Sequence, residues 1–250
     1  MILRHHLIPF TLIAAATFAS TACSTTAATL QETRQLELSV SPDALLAIDA
    51  GAGSLSLRGA PGTDIIRIEA EIWQVEPSDN YTLTLELGED GSARLVSNTG
   101  SGANQDHINL DIRVPASLRL EVNDDSGSMQ IAGLAGPLTV EDGSGSIRIE
   151  NIGADVTIKD GSGSLRVENT GGRLRIEDGS GSITVSNTVG DVTITDDSGS
   201  ISVTGTAGVV TIRDGSGSIS IDGAEDFKLL GDGSGSVELL NIGRKMKPGG

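Results

Sequence analysis

The chain has 250 residues, a formal net charge of −17, and 37% hydrophobic but only 2% aromatic residues. So acidic a chain has no basic face to neutralise phosphates, which excludes nucleic acid as a partner and disfavours adsorption to anionic lipid. A single cysteine excludes an intrachain disulfide, and the scarcity of aromatic residues leaves few platforms on which sugars or bases stack.

The first 22 residues have the pattern of a secretory signal peptide. Arg4, His5 and His6 precede an apolar run over residues 7–18, and small residues follow as far as Cys23. The apolar run is too short for a transmembrane helix. We therefore expect residues 1–22 to be a signal peptide.

Cys23 stands directly after the small residues, an arrangement that resembles a bacterial lipoprotein cleavage site, where the cysteine becomes the lipid-bearing first residue. Ser20 occupies a position where such sites most often have Leu, so ordinary cleavage nearby is the alternative. Ser24 is not the Asp that retains such proteins at the inner membrane. The resemblance implies an exported outer-membrane lipoprotein, facing the periplasm or the cell surface, that is held to the membrane by lipid on Cys23, with residues 23–30 as a tether.

Residues 31–123 follow the later repeat only weakly. Residues 118–122 fall in the phase of a strand just before Asp124, and residues 51–57 form a degenerate copy that continues into residues 66–68. This part is expected to be an irregular N-terminal portion of one continuous domain.

Two alternating segments within this portion predict an inserted β-hairpin. Residues 81–87 and 93–97 each alternate apolar and polar side chains, and they flank the turn-forming residues 88–92.

From residue 124 to residue 243 the sequence Asp-Gly-Ser-Gly-Ser, followed by alternating apolar residues, returns every 18 residues. Asp125 and Asp197 replace the first glycine in two copies, whereas the second glycine persists in all. So strict a period predicts a solenoid. The aspartates that open the seven copies are Asp124, Asp142, Asp160, Asp178, Asp196, Asp214 and Asp232.

Each copy holds two short strands. In the copy that opens at Asp142, Ile147 and Ile149 alternate with polar residues, and Val156 and Ile158 do so nine residues later, which is the period of a half-buried strand. The tenth position is always Gly or Asn, the types that tolerate a positive φ in a tight turn. These tenth residues are Gly133, Asn151, Asn169, Asn187, Gly205, Gly223 and Asn241.

A helix and a flexible linker are the alternatives for a repeat of this composition. Runs of Gly and Ser with β-branched pairs exclude the helix, and apolar residues in fixed phase with the glycines exclude the linker. Successive coils are expected to pair in parallel at about 4.8 Å, so that seven coils extend roughly 34 Å.

The seven aspartates would form a column in which like charges cost on the order of 1 kcal/mol per neighbour. We expect each carboxyl group to accept hydrogen bonds from its own turn, as a structural turn ladder. Calcium shared between coils is the alternative. The known calcium-binding repeat has an aspartate where this chain has apolar residues such as Ile147 and Leu165, which favours the structural interpretation.

The serines of the turns and the threonines of the strands also form columns. Thr139, Thr157, Thr193 and Thr211 make one column, which Arg175 interrupts. Regular hydroxyl arrays on flat solenoids can order water, so ice binding is a further alternative. Threonine, which is stiffer than serine, is the residue expected in such an array.

The residue types that carry catalysis are scarce. The exported chain has one histidine, His107, and shows no triad, phosphate loop, dinucleotide fingerprint or His and Cys metal motif. We expect no enzyme and no cofactor. A carbohydrate-active β-helix enzyme is the alternative, and it would need Trp73, Tyr81, His107 and Arg175, which break the repeat symmetry, to line one cleft. We expect these four to be scattered.

Residues 244–250 form a basic tail with Arg244, Lys245, Lys247 and Pro248. Charged residues and proline are typical of a protected sheet edge, so the tail is expected to blunt the open end of the solenoid.

Several features together resemble the bacterial exported β-strand-repeat family of unknown function described as putative adhesins, over about residues 36–241. They are the exported N-terminus, the degenerate coil around Gly53 and Ser54, the step at Val114 and Pro115, and the Asp-Gly-Ser-Gly-Ser repeats. The resemblance implies an all-β, right-handed parallel β-solenoid (β-helix) in the cell envelope, and it carries over no catalytic or binding residues.

We therefore expect a noncatalytic envelope solenoid. It would offer an adhesin-like or scaffold surface to an envelope protein or to another surface, through stacked coils rather than a reactive residue.

Overall fold

The computed structural model describes residues 27–100 and 105–243, and all regular elements in these two ranges are β-strands, so none is a helix that could cross a membrane. The signal peptide, Cys23 and the basic tail lie outside the described residues. The strands are β1 (Thr29–Ser39), β2 (Leu45–Ala60), β3 (Ile65–Gln74), β4 (Tyr81–Leu87), β5 (Ala93–Thr99), β6 (His107–Pro115), β7 (Arg119–Leu134), β8 (Leu138–Asp142), β9 (Gly145–Ile152), β10 (Val156–Asp160), β11 (Gly163–Thr170), β12 (Leu174–Asp178), β13 (Gly181–Thr188), β14 (Val192–Asp196), β15 (Gly199–Thr204), β16 (Val209–Asp214), β17 (Gly217–Ala224), β18 (Asp226–Asp232) and β19 (Gly235–Ile242).

From β7 onward the chain winds into two stacked faces. Face A contains β9, β11, β13, β15, β17 and β19, and face B contains β8, β10, β12, β14, β16 and β18; neighbours within each face pair in parallel. Leu165 on face A pairs with Ile147 and Ile183, each 18 residues away. This register confirms the predicted parallel β-solenoid with 18-residue coils.

Alternation along each strand produces the core. Ile147 and Ile149 of face A and Val156 and Ile158 of face B all point inward and are at most 1% exposed. β-branched side chains suit such a pleated surface, and stacking identical positions at about 4.8 Å leaves each aliphatic residue in contact with its equivalents above and below. The core is therefore a continuous aliphatic column that runs the length of the solenoid.

One corner of each coil, the Asp corner, is the Asp-Gly-Ser-Gly turn from face B to face A. Its second glycine has φ of 142° at Gly163 and 138° at Gly181, a region that favours glycine. A Cβ atom on Gly163 would lie 1.7 Å from the carbonyl oxygen of Gly145 in the preceding coil. The coils thus stack too closely for any side chain, which explains why the second glycine persists where the first does not.

The opposite corner, the Asn corner, leads from face A back to face B. Asn151, Asn169 and Asn187 have φ of 57° to 58°, as the sequence predicted for the tenth position. Their side chains form a ladder, because Nδ2 of Asn169 donates to Oδ1 of Asn151 at 2.9 Å and Nδ2 of Asn187 donates to Oδ1 of Asn169 at 3.1 Å.

The N-terminal portion closes the solenoid with antiparallel strands. β2 runs parallel to β7 through both faces, and β5 and β6 pair in parallel with the other edge of β2. β4 pairs antiparallel with β5 as the predicted hairpin, and β1 pairs antiparallel with β3. At the N-terminal end of the solenoid, the outermost strand is therefore β1 on one face and β4 on the other.

One expectation for this portion is wrong. Residues 66–68 were expected to complete the degenerate coil around Gly53, but they lie in β3, which pairs antiparallel with β6. Ile68 still alternates with polar neighbours and is buried, since alternation specifies which side chains face the core but does not specify strand direction.

Candidate interaction surface

The Asp corner holds the most unusual polar groups of the solenoid. Asp124, Asp160 and Asp196 are between 2% and 5% exposed, and their strands are in register, so their carboxyl groups stack along the axis. Oδ1 of Asp160 accepts a hydrogen bond from the backbone N–H of Ser162 at 3.1 Å, and Asp196 accepts one from Ser198 at 3.2 Å. These aspartates therefore close their own turns.

The second carboxylate oxygen is less well placed. Oδ2 of Asp124, Asp160 and Asp196 is buried without a hydrogen-bond partner in the described part of the chain. A buried charge without a partner is costly, so the neutral acid is favoured. Burial, followed by the neighbouring carboxyl groups, raises the pKa of Asp124 to about 7 and the pKa values of Asp160 and Asp196 to about 6.

The intervening rungs respond in the same direction. Burial raises the pKa of Asp142 and of Asp178, although backbone N–H groups of the turn oppose the shift. The carboxyl groups of the Asp corner therefore keep their protons to a higher pH than ordinary aspartates do. Within residues 27–100 and 105–243, no three His, Cys, Asp or Glu side chains converge to hold a metal ion.

Face A carries an uncharged area over three coils, which we call the hydroxyl patch. Its strands β13, β15 and β17 are in register, so that rows of outward hydroxyl groups stack at about 4.8 Å and repeat at about 6.7 Å along each strand. The patch consists of Ser182, Thr184, Ser186, Ser200, Ser202, Thr204, Ser218 and Ser220.

The preceding coils of face A are charged instead. Arg148 forms an ion pair with Glu150 and lies 3.6 Å from Glu168, which also pairs with Arg166. These pairs neutralise one another at the surface. Face A thus changes along its length from paired charges to hydroxyl groups.

Face B is more mixed. Thr157 pairs in register with Arg175, and Arg175 with Thr193, so the threonine column is interrupted as the sequence indicated. Lys159 pairs with Glu141 at 2.9 Å and Arg175 with Glu177 at 2.5 Å. An uncharged patch that spans three coils is therefore a property of face A, where Asp222 follows Ser220 on β17 and bounds the patch.

Comparison with known proteins identifies the family. The family model described as Toastrack DUF4097 matches residues 69–238, which is more than half of the chain. The chain belongs to the Toastrack DUF4097 family. The match begins within β3 and continues into β19, so it includes the hairpin of β4 and β5 and the regular coils of this Toastrack protein, but not β1 or β2.

Solved structures resemble the chain at low identity, and the first of them shares its fold. A "putative adhesin" from Bacteroides fragilis has 12% identity and a TM-score of 0.58, and the match covers 84% of this chain and 98% of that one. A "putative cell adhesion protein" from Clostridium sporogenes has 12% identity, coverage of 83% and 99%, and a TM-score of 0.34. A "putative adhesin" from Parabacteroides distasonis has 11% identity, coverage of 82% and 97%, and a TM-score of 0.35. No curated protein matches the chain.

Two of the four residues that break the repeat symmetry of the Toastrack coils come together. Trp73 on β3 and His107 on β6 are cross-strand partners, and their rings stack with centroids 5.8 Å apart, which corrects the expectation that they are scattered. Trp73 Nε1 donates to Glu71 at 3.1 Å. The sequence did not show this pair, because the alternation of apolar and polar residues in β3 does not specify which strand it pairs with or in which direction.

The other two lie elsewhere. Tyr81 on β4 donates its hydroxyl hydrogen to Glu32 at 2.8 Å, and the guanidinium group of Arg34 lies 5.6 Å from its ring centroid. Arg175 belongs to β12 on face B. The four residues are thus spread over three sites, and no shared cleft is formed by them.

Sequence reasoning also missed the extent of the hydroxyl patch. The serines of the turn were seen as columns, but the grouping of Thr184, Ser202 and Ser220 into an area without charge was not. The signal was present in the outward positions of successive copies, which change from arginine at 148 and 166 to hydroxyl residues at 184, 202 and 220.

Proposed function

We propose that this Toastrack protein is a noncatalytic solenoid of the cell envelope that makes adhesin-like contacts through face A. The observation that supports this most is the hydroxyl patch, in which outward side chains of three coils lie in register on a rigid sheet. Such a surface presents many equal donors and acceptors at fixed spacing, which suits contact with an extended partner better than capture of a small molecule.

The chemistry of the patch indicates a weak, repeated mode of contact. A single neutral hydrogen bond contributes about 0.5–1.5 kcal/mol, because each one replaces a bond to water. Several contacts held at fixed spacing add affinity without a deep pocket. The name "putative adhesin" of the B. fragilis structure agrees with this proposal, although that likeness shows the fold alone.

Anchoring at a membrane completes the proposal. Lipid on Cys23 and a short tether would hold β1 near the membrane and leave the hydroxyl patch, which lies towards the other end of the stack, farther away. Labelling with a palmitate analogue tests this, since wild type should incorporate the label and Cys23→Ser should not. An unlabelled, freely soluble wild type would contradict the anchor.

Attachment of cells tests the contact surface. We expect a deletion strain to attach less well, and the variant Thr184→Lys/Ser202→Lys/Ser220→Lys to fail to restore attachment, because three charges are placed in the hydroxyl patch. The matched control is Thr157→Lys/Thr193→Lys/Thr211→Lys, which adds the same charge to outward threonines of face B. The proposal fails if deletion changes neither attachment nor envelope integrity, or if both triple variants behave alike.

A further inference from the structure

The terminal coil, formed by β18 and β19, exposes an apolar surface that other coils do not. Of the eight large hydrophobic side chains that are exposed in the described ranges, five belong to this coil: Leu229, Leu230, Val237, Leu239 and Leu240. The other three lie apart from one another on β1, at the end of β4 and at the Asn corner.

Two different causes expose these five residues. Val237 and Leu239 pair with Ile219 and Ile221, so they occupy inward positions and are exposed only because no described coil covers them. Leu240 instead pairs with Asp222, an outward position that holds Thr204 in the coil before. An outward leucine at 48% exposure is not explained by an open end alone.

Leu230 gives a second instance. The pairing of β16 with β18 shifts between Ile212 and Arg213, which leaves Leu230 as the extra residue of a bulge, at 58% exposure. A bulge at an edge hinders pairing of β18 with another strand. A strand that adds to the terminal coil would therefore pair more readily with β19 than with β18.

The outer strands at the two ends of the solenoid differ in how well they are protected against the addition of another strand. The outer strand β1 carries Glu32, Arg34 and Glu37 along its exposed edge, and charged side chains of this kind prevent strands from adding. β19 has one charged residue, Glu238, among eight. The protected and unprotected edges make head-to-tail stacking unfavourable and leave the terminal coil as the surface that can pair.

We infer that the terminal coil is an interface for a second copy of this chain, joined tail to tail about a two-fold axis with β19 antiparallel to its equivalent. Two identical edges related by a two-fold axis can pair only in the antiparallel sense. This arrangement would cover Val237, Leu239 and Leu240 together and would pair the edge of β19 that faces away from β17.

The area is sufficient for a weak dimer. A strand of eight residues is about 26 Å long, and two faces about 10 Å apart with their outward side chains span about 20 Å, so each copy buries about 500 Å². The total of about 1,000 Å² lies at the lower limit for a specific interface. Dissociation constants in the micromolar range are expected rather than permanent association.

The consequence for adhesion rests on the proposed function. A tail-to-tail dimer places the two N-terminal portions at opposite ends of a rod, so copies anchored on two apposed membranes would join them. The interface itself does not depend on anchoring, and it is tested in solution on the exported chain with Cys23→Ser, which removes the expected lipid.

Sedimentation of this chain from about 1 μM to about 1 mM should show a monomer–dimer equilibrium. Leu240→Lys should weaken dimerisation at least tenfold, whereas Val189→Lys, at another exposed apolar residue, should leave it unchanged. Truncation after Gly243 should leave dimerisation unchanged, because it keeps β19 whole. Circular dichroism confirms that each variant is folded.

Cysteine crosslinking fixes the location. Oxidation of Glu238→Cys should give disulfide dimers, and Thr184→Cys on the hydroxyl patch should not. A wild type that is monomeric over the whole range overturns the inference, and so does crosslinking through Thr184→Cys alone. If truncation strengthens association, the chain's own tail covers the terminal coil and a second copy does not. Attachment assays on intact cells then judge the adhesin proposal separately.

Discussion

The two corners of each coil both turn the chain from one face to the other, but they do so with different residue types. The Asn corner uses a left-handed residue whose amide bonds to the amide of the next coil, and its ladder carries no charge. The Asp corner uses a glycine with no room for a side chain and a buried carboxyl group with a raised pKa. The stability of the folded protein should therefore be more sensitive to added side chains and to pH at the Asp corner than at the Asn corner.

The largest effect is expected at the second glycine of the Asp corner. Gly163→Ala would place a Cβ atom 1.7 Å from a backbone oxygen at φ of 142°, so the stacked coils must separate. We expect the free energy of unfolding to fall by at least about 4 kcal/mol in urea titrations. Asn169→Gly in the same coil is the control and should change it by less than about 0.5 kcal/mol, since Gly fills this position in other copies. Equal effects at the two corners would refute the comparison.

The next effect is a dependence of stability on pH. Because the folded pKa values of Asp124, Asp160 and Asp196 lie above the unfolded value of 3.8, the folded state binds more protons between pH 4 and pH 7. The stabilisation is fully present below pH 3.8 and is lost as the pH rises through 6 to 7. A tenfold change in proton affinity corresponds to about 1.4 kcal/mol, so a loss of a few kcal/mol is expected.

Replacing three of the rungs should reduce this loss. Asp124→Asn/Asp160→Asn/Asp196→Asn keeps the turn acceptor at rungs that can no longer ionise, so its stability should vary less than that of the wild type from pH 5 to pH 8. Asp142 and Asp178 remain ionisable in the variant, and their raised pKa values account for any residual dependence. Guanidinium unfolding at four pH values would show it, and an equally steep profile in the variant would contradict the role of the ladder.

Sequence alone predicted the solenoid because period, alternation and turn glycines all specify the same coil. The alternating aliphatic residues of both faces from Leu120 to Ile221 could be assigned to the core from the phase of the aspartates, whereas the buried threonines at the Asn corner could not. The direction of β3 and the stacking of Trp73 on His107 could not, since alternation is the same in parallel and antiparallel strands. The raised pKa values also could not be predicted, since they result from burial of the carboxyl groups, and burial depends on how tightly the coils pack rather than on the residue type.

A smaller effect is expected from the turn hydrogen bond. Asp160→Ala removes the acceptor of the Ser162 N–H and should cost about 1 kcal/mol, whereas Asp160→Asn retains it and should be tolerated. Thermal unfolding of both variants at pH 5, where the wild-type acid is mostly neutral, isolates this bond from the charge. The melting temperature of Asp160→Ala should be lower than that of Asp160→Asn, and equal melting temperatures would contradict the role of this hydrogen bond.

The smallest effect on the free energy of unfolding is expected at the Asn corner, where a substitution should increase stability. Thr170, Thr188 and Thr206 form an inward column beside the asparagines, each at most 1% exposed, and their Oγ1 atoms have no hydrogen-bond partner among the described residues. Thr188→Val has the same shape without the buried hydroxyl and should raise stability by up to about 1 kcal/mol. Thr184→Val, on the outside of the same strand, should not. A destabilised Thr188→Val would indicate that the hydroxyl group is bonded.

The most direct test of the Asp corner is the pKa of each carboxyl group in the folded protein, followed by carbon NMR of the aspartate side chains from pH 3 to pH 9. The account predicts a midpoint for Asp124 near 7 and midpoints for Asp160 and Asp196 near 6. Asp155, which accepts a hydrogen bond from the backbone N–H of Arg173, should titrate below its ordinary value and serves as the internal reference. Midpoints below 5 for all three ladder residues would contradict a corner that raises the pKa values of its carboxyl groups.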